Sequence, residues 1–504
     1  MTGALTAVGA ASAGPTVPAA TASVSAPDRN AAERLELAVT HHRLPGGLAY
    51  TAEAGYLDLL EDAPSAGVAR PPEVTARIFH TAYLAEVAES ERLARPVIFV
   101  FNGGPGASSA WLHLGLVGPR RIDNSSGDRP FAPPYRLLDN LETPLRYADL
   151  VLIDPVDTGY SRAAEGVRAD LYHGVDEDVQ QVTHIIRLWT SRHDRWASPL
   201  FLAGESYGVL RGAKVAAELA RQWGLYLRGL ILISSTLGGG DFMRFGPGAL
   251  LSTPAFLPTY AAVAHYHGFH LGRSLAEVVQ EAQDYATGDL LGVLAAGHRL
   301  PGDRRQAAIV RLAALTGLSP QYLDRVNLKV DKRRFYAELL RERGLTVGEI
   351  DGRFTGWNPD QAGEVAQHDP TDQAIRGAFG AGINHYLRHQ LGYRNDLPYE
   401  LISHRVRPWR GPKDSFAGFN SLGALSEVLR VNAHLRVQYH LGYYDVCTPY
   451  WGAETDLAQL ELPPAELDRV EVVHYESGHM IYLDEASRRQ ELADIERFVT
   501  GLIA

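Results

Sequence analysis

The chain of 504 residues has a single cysteine, Cys447. No intramolecular disulfide can form, which excludes a disulfide-stapled scaffold. One thiol also suits a reducing cytoplasm, with export as the alternative. Positive charge is in deficit, 48 Lys and Arg against 59 Asp and Glu, for a net charge of -11. Nucleic-acid binding needs a basic footprint, so no nucleic-acid partner is expected. No stretch approaches the roughly 18 uninterrupted apolar residues of a membrane span, and no membrane partner is expected either. There is no internal repeat. The first 31 residues are rich in Ala, Ser, Thr and Pro and carry no Lys or Arg ahead of their apolar residues. They read as a disordered tail, although Ala-Ser-Ala leaves a cleaved signal as the alternative. Asn124-Ser125-Ser126 is a glycosylation sequon of a kind that arises often by chance.

What is present is globular: 45% hydrophobic and 21% charged residues, enough for one or two substantial cores. From about residue 32, LELAVTHHRL, GLAYTAEAGYLDLL and VTARIFHTAYLAEV alternate and predict antiparallel strands. RPVIFVF, ADLVLID, SPLFLAG and LRGLILISS are short continuous apolar runs, which suit central parallel strands covered on both faces. Helical patterns such as VDEDVQQVTHIIRLWTSRH and VLRGAKVAAELARQW lie between them. The alternation predicts an α/β fold built on a mostly parallel sheet. The pattern turns mainly helical over 238–393, with SLAEVVQEAQDYATGDLLGVLAAG and RRQAAIVRLAALTG amphipathic. It returns to strands with HLRVQYHLG and RVEVVHYE and closes on a helix. The expected organisation is a tail over 1–31, a first part of the core over 32–237, a helical cap insertion over 238–393 and a second part of the core over 394–504.

Four segments carry chemistry. Gly204-Glu205-Ser206-Tyr207-Gly208 joins a strand-like run to an amphipathic helix. A serine on such a turn presents its hydroxyl outward as a nucleophile. Asn102-Gly103-Gly104-Pro105-Gly106 follows RPVIFVF. A tetrahedral oxyanion needs preorganised N–H donors, and glycines leave backbone N–H groups open to a substrate. A phosphate loop would end in Gly-Lys-Ser/Thr, which is missing, while a plain turn remains an alternative. Asp445 follows HLRVQYHL, and His479 follows RVEVVHY. The order Ser206, Asp445, His479 is that of nucleophile, acid and base in an α/β-hydrolase fold. His479 would take the serine proton, and Asp445 would fix the imidazole tautomer. Each alone has a structural alternative: Asp445 as a turn cap, His479 as a bonded loop residue.

Together these segments resemble the serine carboxypeptidases, a branch of the α/β-hydrolase superfamily. FNGGPGASSAWLHLGLVGP, LIDPVDTGYSR, GESYG, GYYDVCTP and SGHM carry the resemblance, which spans roughly Leu35 to the C-terminus. LPTYAAVAHYHG, LTGLS and DGRFTG look most like bacterial members. The resemblance implies an α/β-hydrolase fold with a helical cap, and a serine-type carboxypeptidase working through an acyl-enzyme without a cofactor or metal. It implies Ser206, Asp445 and His479 as the triad, and N–H groups of Gly104 and Tyr207 as the oxyanion hole. It places Asn102, Gly103 and Glu205 at the substrate's terminal carboxylate, so the substrate is a peptide or small acyl compound with a free carboxylate. Two carboxyl groups in bonding reach share a proton, so Glu205 would be protonated, favouring peptide hydrolysis at acidic pH. The alternative is a specialised esterase, amidase or acyltransferase on the same scaffold.

Departures from the family pattern are Phe101 for tryptophan, Ala107 for cysteine and Asp157 for glycine. Asp157 either borders the pocket of the residue before the scissile bond or faces solvent. Cys447 reads as a small buried hydrophobe or a neighbour of the pocket. The histidines of His265-Tyr266-His267-Gly268-Phe269-His270 have zinc-like spacing, but no cysteine or carboxylate stands near in sequence. Lys332-Arg333-Arg334 reads as a solvated face.

Overall fold

The computed structural model describes residues 37–61, 73–124, 131–412 and 419–503. The expected tail over 1–31 lies outside these described residues. Ten strands form the main sheet. They are β1 (Leu37–Arg43), β2 (Ala49–Glu61), β3 (Glu73–Ala85), β4 (Val97–Phe101), β7 (Asp149–Ile153), β8 (Arg162–Ala163), β9 (Leu200–Glu205), β10 (Gly229–Ile233), β13 (Arg436–Gly442) and β14 (Val470–Tyr475). The short pairs β5 (Arg120–Ile122) with β6 (Leu137–Asp139), and β11 (Leu345–Val347) with β12 (Thr355–Trp357), lie outside it.

The sheet order is β1-β2-β3-β7-β4-β9-β10-β13-β14, with β8 on β3. Strands β1 to β3 pair antiparallel, and β3 meets β7 antiparallel. From β7 to β14 every pairing is parallel. This is the central sheet of an α/β-hydrolase fold, flanked by helices and carrying extra helical insertions. The residues explain the split. VIFVF, DLVLI and GLILI are buried at every position because helices cover both faces. In β1 four exposed residues alternate with one buried and two half-buried ones, as at a wet edge.

Two apolar clusters fill the two sides of the sheet. One joins Phe99, Val151, Leu202 and Leu232 to helices Val175–Arg192 and Tyr207–Trp223 and runs on into the inserted helices. The other joins Ile98, Leu150, Phe201 and Ile231 to helix Glu485–Ile503. Residues 238–393 hold helices such as Ser252–Tyr266, Leu275–Tyr285 and Gly302–Thr316, together with the β11–β12 hairpin. Residues 35–504 form one contact unit, so insertion and sheet share a continuous interior. No helix among the described residues is long and apolar enough to cross a membrane.

Parallel pairing aligns the strand ends. Glu205 lies level with Ile233, Ile233 with His440, and Gly442 with Tyr475. Ser206, Asp445 and His479 therefore all follow carboxyl ends of parallel strands, the edge where open α/β sheets bind ligands.

Candidate active site

Ser206 has φ 61° and ψ -129° between β9 and helix Tyr207–Trp223. A non-glycine residue there is strained, and the strain is held by the sheet: Ser206 N–H donates to the Ile233 carbonyl at 2.9 Å. The flanking glycines permit the crossing. A Cβ on Gly204 would fall 2.3 Å from the Gly208 oxygen. A Cβ on Gly103 would fall 2.4 Å from Tyr207 N, so the loop after β4 lies directly against the turn. Among the described residues no hydrogen bond engages the N–H of Gly104 or Tyr207. Both remain available as donors, the arrangement an oxyanion requires. The segment after Tyr399 closes over this loop, with Ser403 N–H on the Gly106 oxygen at 2.8 Å and Trp409 edge-on to Tyr207.

Asp445 and His479 meet. The imidazole Nδ1 lies 2.8 Å from Asp445 Oδ2. Thr448 fixes the carboxylate through its N–H on Oδ1 at 2.8 Å and its hydroxyl on Oδ2 at 2.7 Å. An acid so held makes Nδ1 the protonated nitrogen and leaves Nε2 as the acceptor. The His479 ring is buried, which alone would lower its pKa. The Asp445 charge and hydrogen bond, with Glu205, raise it above the ordinary value, while Lys332 opposes them. The Ser206 hydroxyl makes no hydrogen bond among the described residues. Its approach to Nε2 belongs to the proposal below, since such contacts often tighten only with substrate bound.

Asn102 and Glu205 also meet: Asn102 Nδ2 donates to Glu205 Oε1 at 2.9 Å. The Asn102 side-chain oxygen accepts from Leu112 N–H at 3.0 Å, which fixes its amide orientation. Glu205 is 3% exposed. Burial raises its pKa to about 7, against the lowering influence of His479, Tyr482 and Asn102. Its Oε2 and the Tyr482 hydroxyl are both buried without a partner in hydrogen-bond geometry. A buried carboxyl with a near-neutral pKa and an oxygen outside full hydrogen-bond geometry, near the Tyr482 hydroxyl, is equipped to donate a proton to an incoming oxyanion.

Sequence reasoning missed the braces. Arg211 and Asp178 form a buried pair at 2.7 Å, and Arg211 Nη1 donates to the Asn102 carbonyl at 2.5 Å. Their signal was an acid and a base on helices that a central parallel sheet brings together. A second brace comes from the insertion. His479 N–H donates to the Ile350 oxygen at 2.7 Å, and Gly478 N–H to Asp351 Oδ2 at 3.1 Å. Arg353 grips Asp351 at 2.7 Å and donates to the Glu476 oxygen and to Ser477 Oγ.

The remaining candidates resolve differently. Asp157 is 4% exposed, adopts φ 67° and accepts from His173 Nε2 at 2.9 Å, so its carboxylate is occupied rather than solvated. The Nε2 atoms of His265, His267 and His270 each face a different backbone oxygen, on Arg273, Gly352 and Ala314. They do not converge on a common centre. Ligand atoms of Asp445, Cys447 and His479 do lie within 4.8 Å of one another. Nδ1 is already engaged by Asp445 at 2.8 Å, and Asp445 by Thr448. Asn124 donates inward to the Tyr482 and Leu483 oxygens. The expectation of a solvated Lys332 is wrong: its side chain is 14% exposed and paired.

The serine carboxypeptidase family model matches residues 68–223. That stretch holds Asn102, Gly103, Gly104, Glu205, Ser206 and Tyr207 and stops before Asp445 and His479. No curated protein matches the chain. Among solved structures, the chain is similar to Kex1(delta)p, a prohormone-processing carboxypeptidase from Saccharomyces cerevisiae. Identity is 14% and TM-score 0.50, over 88% of this chain and 90% of that one. A proline iminopeptidase from Mycobacterium smegmatis matches at 13% identity and TM-score 0.36, over 88% and 99% of the two chains. The fold and the partial family match define a hydrolytic enzyme of the α/β-hydrolase superfamily.

Proposed function

We propose that this hydrolase is a serine-type carboxypeptidase, with Ser206 as nucleophile, His479 as general base and Asp445 as its orienting acid. The observation that carries the reading is Glu205: a buried carboxyl bonded to Asn102, one residue before the nucleophile, with a pKa raised to about 7 and an Oε2 outside full hydrogen-bond geometry. The peptide's terminal carboxylate would accept from Asn102, from the Gly103 N–H and from the Glu205 proton. That anchor sets the cut one residue from the end. The Ser206 oxygen attacks the scissile carbonyl as its proton passes to His479 Nε2, and the N–H groups of Gly104 and Tyr207 stabilise the oxyanion. His479 then gives the proton to the leaving amine, and water releases the acyl group by the same route in reverse.

The two titrations cooperate. A charged Glu205 raises the His479 pKa; a protonated one withdraws that influence, so the base stays neutral at lower pH. Peptide binding is therefore strongest below about 7 and is lost as Glu205 ionises. The family match over residues 68–223 supports the reading, and LPTYAAVAHYHG, LTGLS and DGRFTG support a bacterial type of member. Digestion of a mixed peptide library, read by mass spectrometry, tests it. Single residues should leave from C-termini only and not with Ser206→Ala; internal cuts, or unchanged release by that variant, would refute it.

A further inference from the structure

Lys332 opens helix Lys332–Glu338 in the inserted region, after Asp331, whose side chain accepts from Arg333 N–H at 2.8 Å. Its ammonium does not face solvent. Nζ donates to the Cys447 carbonyl at 2.8 Å and pairs with Glu349 Oε1 at 2.7 Å. Cys447 stands between Asp445 and Thr448, the residue that holds both oxygens of Asp445. The inserted helix thus reaches across more than a hundred positions to grip the loop that bears the acid. We infer that Lys332 is a positioning residue for the Asp445–His479 pair, holding the acid loop through the Cys447 carbonyl and, by its charge, favouring the neutral imidazole. The inference rests on the reading of these two residues as acid and base.

The neighbouring charges fix the sign. Glu349 pairs with the ammonium, and Cys447 and Asp445 also act on it electrostatically. Asp369 stands behind Glu349 and accepts the N–H groups of Glu349 and Ile350 at 3.1 Å each. Tyr336, on the same helix as Lys332, faces Glu349. Asp445, Glu205 and Lys332 act on the imidazole, and the Asp351–Arg353 pair holds Gly478 beside it. Burial works against the ammonium, but the surrounding acids keep its proton affinity above the ordinary lysine value, so it stays charged. A cation here destabilises imidazolium, and removing it must raise the His479 pKa. Neutralising Glu349 leaves the same cation unshielded and must lower it. A role confined to packing predicts no such reversal.

The test uses the full chain with Lys332→Met, Lys332→Arg and Glu349→Gln. The readouts are the acid limb of kcat/KM for Ser206-dependent hydrolysis and, independently of turnover, an NMR titration of the low-field His479 Nδ1 proton. Lys332→Met should move both upward by about half to one pH unit and lower kcat roughly tenfold. Glu349→Gln should move both downward, and Lys332→Arg should keep the native midpoint. Shifts of the same sign in Lys332→Met and Glu349→Gln, or no shift in either, would overturn the inference. If Lys332→Met does not fold, an unmoved or raised midpoint in Glu349→Gln overturns it alone. If the native protein lacks Ser206-dependent turnover, the functional reading fails, and the imidazole titration still decides the role of Lys332.

Discussion

The turn at Ser206 and the loops bearing Asp445 and His479 are held by different means. The turn is self-contained: two flanking glycines, a backbone bond from Ser206 to Ile233 and the adjacent strand β4 set it within the sheet. The loops of Asp445 and His479 leave their strands and are fastened by the insertion. Ile350 and Asp351 take the N–H groups of His479 and Gly478, the Gly352 N–H reaches the Tyr444 oxygen, and Lys332 takes the Cys447 oxygen. The proposed nucleophile is thus a property of the sheet. The proposed base, His479, is held by sheet and insertion together, so the inserted region does more than cover the site.

Substitutions on each side sharpen that contrast. Ser206→Ala removes the proposed nucleophile and should lower kcat by about 10⁴-fold or more, measured as release of C-terminal residues, with the unfolding midpoint near native. Asp351→Asn should affect both activity and stability. Asp351 is fully buried and grips Arg353, and its loss leaves that largely buried guanidinium with the more distant Asp484 carboxylate at 3.6 Å, at about 2 kcal/mol in urea unfolding. Loss of the Gly478 bond should also lower kcat without a matching rise in KM. If kcat is unaffected, the claim that the insertion positions the base fails. Glu205→Gln should act on binding rather than chemistry. Activity on free-carboxylate peptides at pH 5.5 should fall about tenfold through KM, and their alkaline limb near 7 should vanish. Ser274→Ala removes the capping box of helix Leu275–Tyr285, in the insertion but outside the brace. It should cost about 1 kcal/mol in thermal unfolding and leave kcat/KM unchanged.

The same contrast explains what the sequence disclosed. Strands such as VIFVF and GLILI declare themselves by continuous apolar residues, and the Ser206 turn and the loop at Asn102 lie beside them as contiguous motifs. The position of Asp445 and His479 beyond strand ends was legible because each follows a strand-like run. Lys332, Asp351 and Arg353 were not, because their partners stand 115, 127 and 123 positions away. In the sequence Lys332 reads as part of a basic run, and only the fold buries it against Glu349. Asp157 was undecidable for the same reason, since His173 becomes its partner only when two loops meet.

The most direct test of the central claim compares one peptide with its C-terminally amidated twin across pH 5 to 8. If Glu205 recognises the terminal carboxylate as a proton donor, the free acid is cleaved far faster at pH 5.5, and its advantage decays through about 7. Equal cleavage of both forms at every pH would contradict the account.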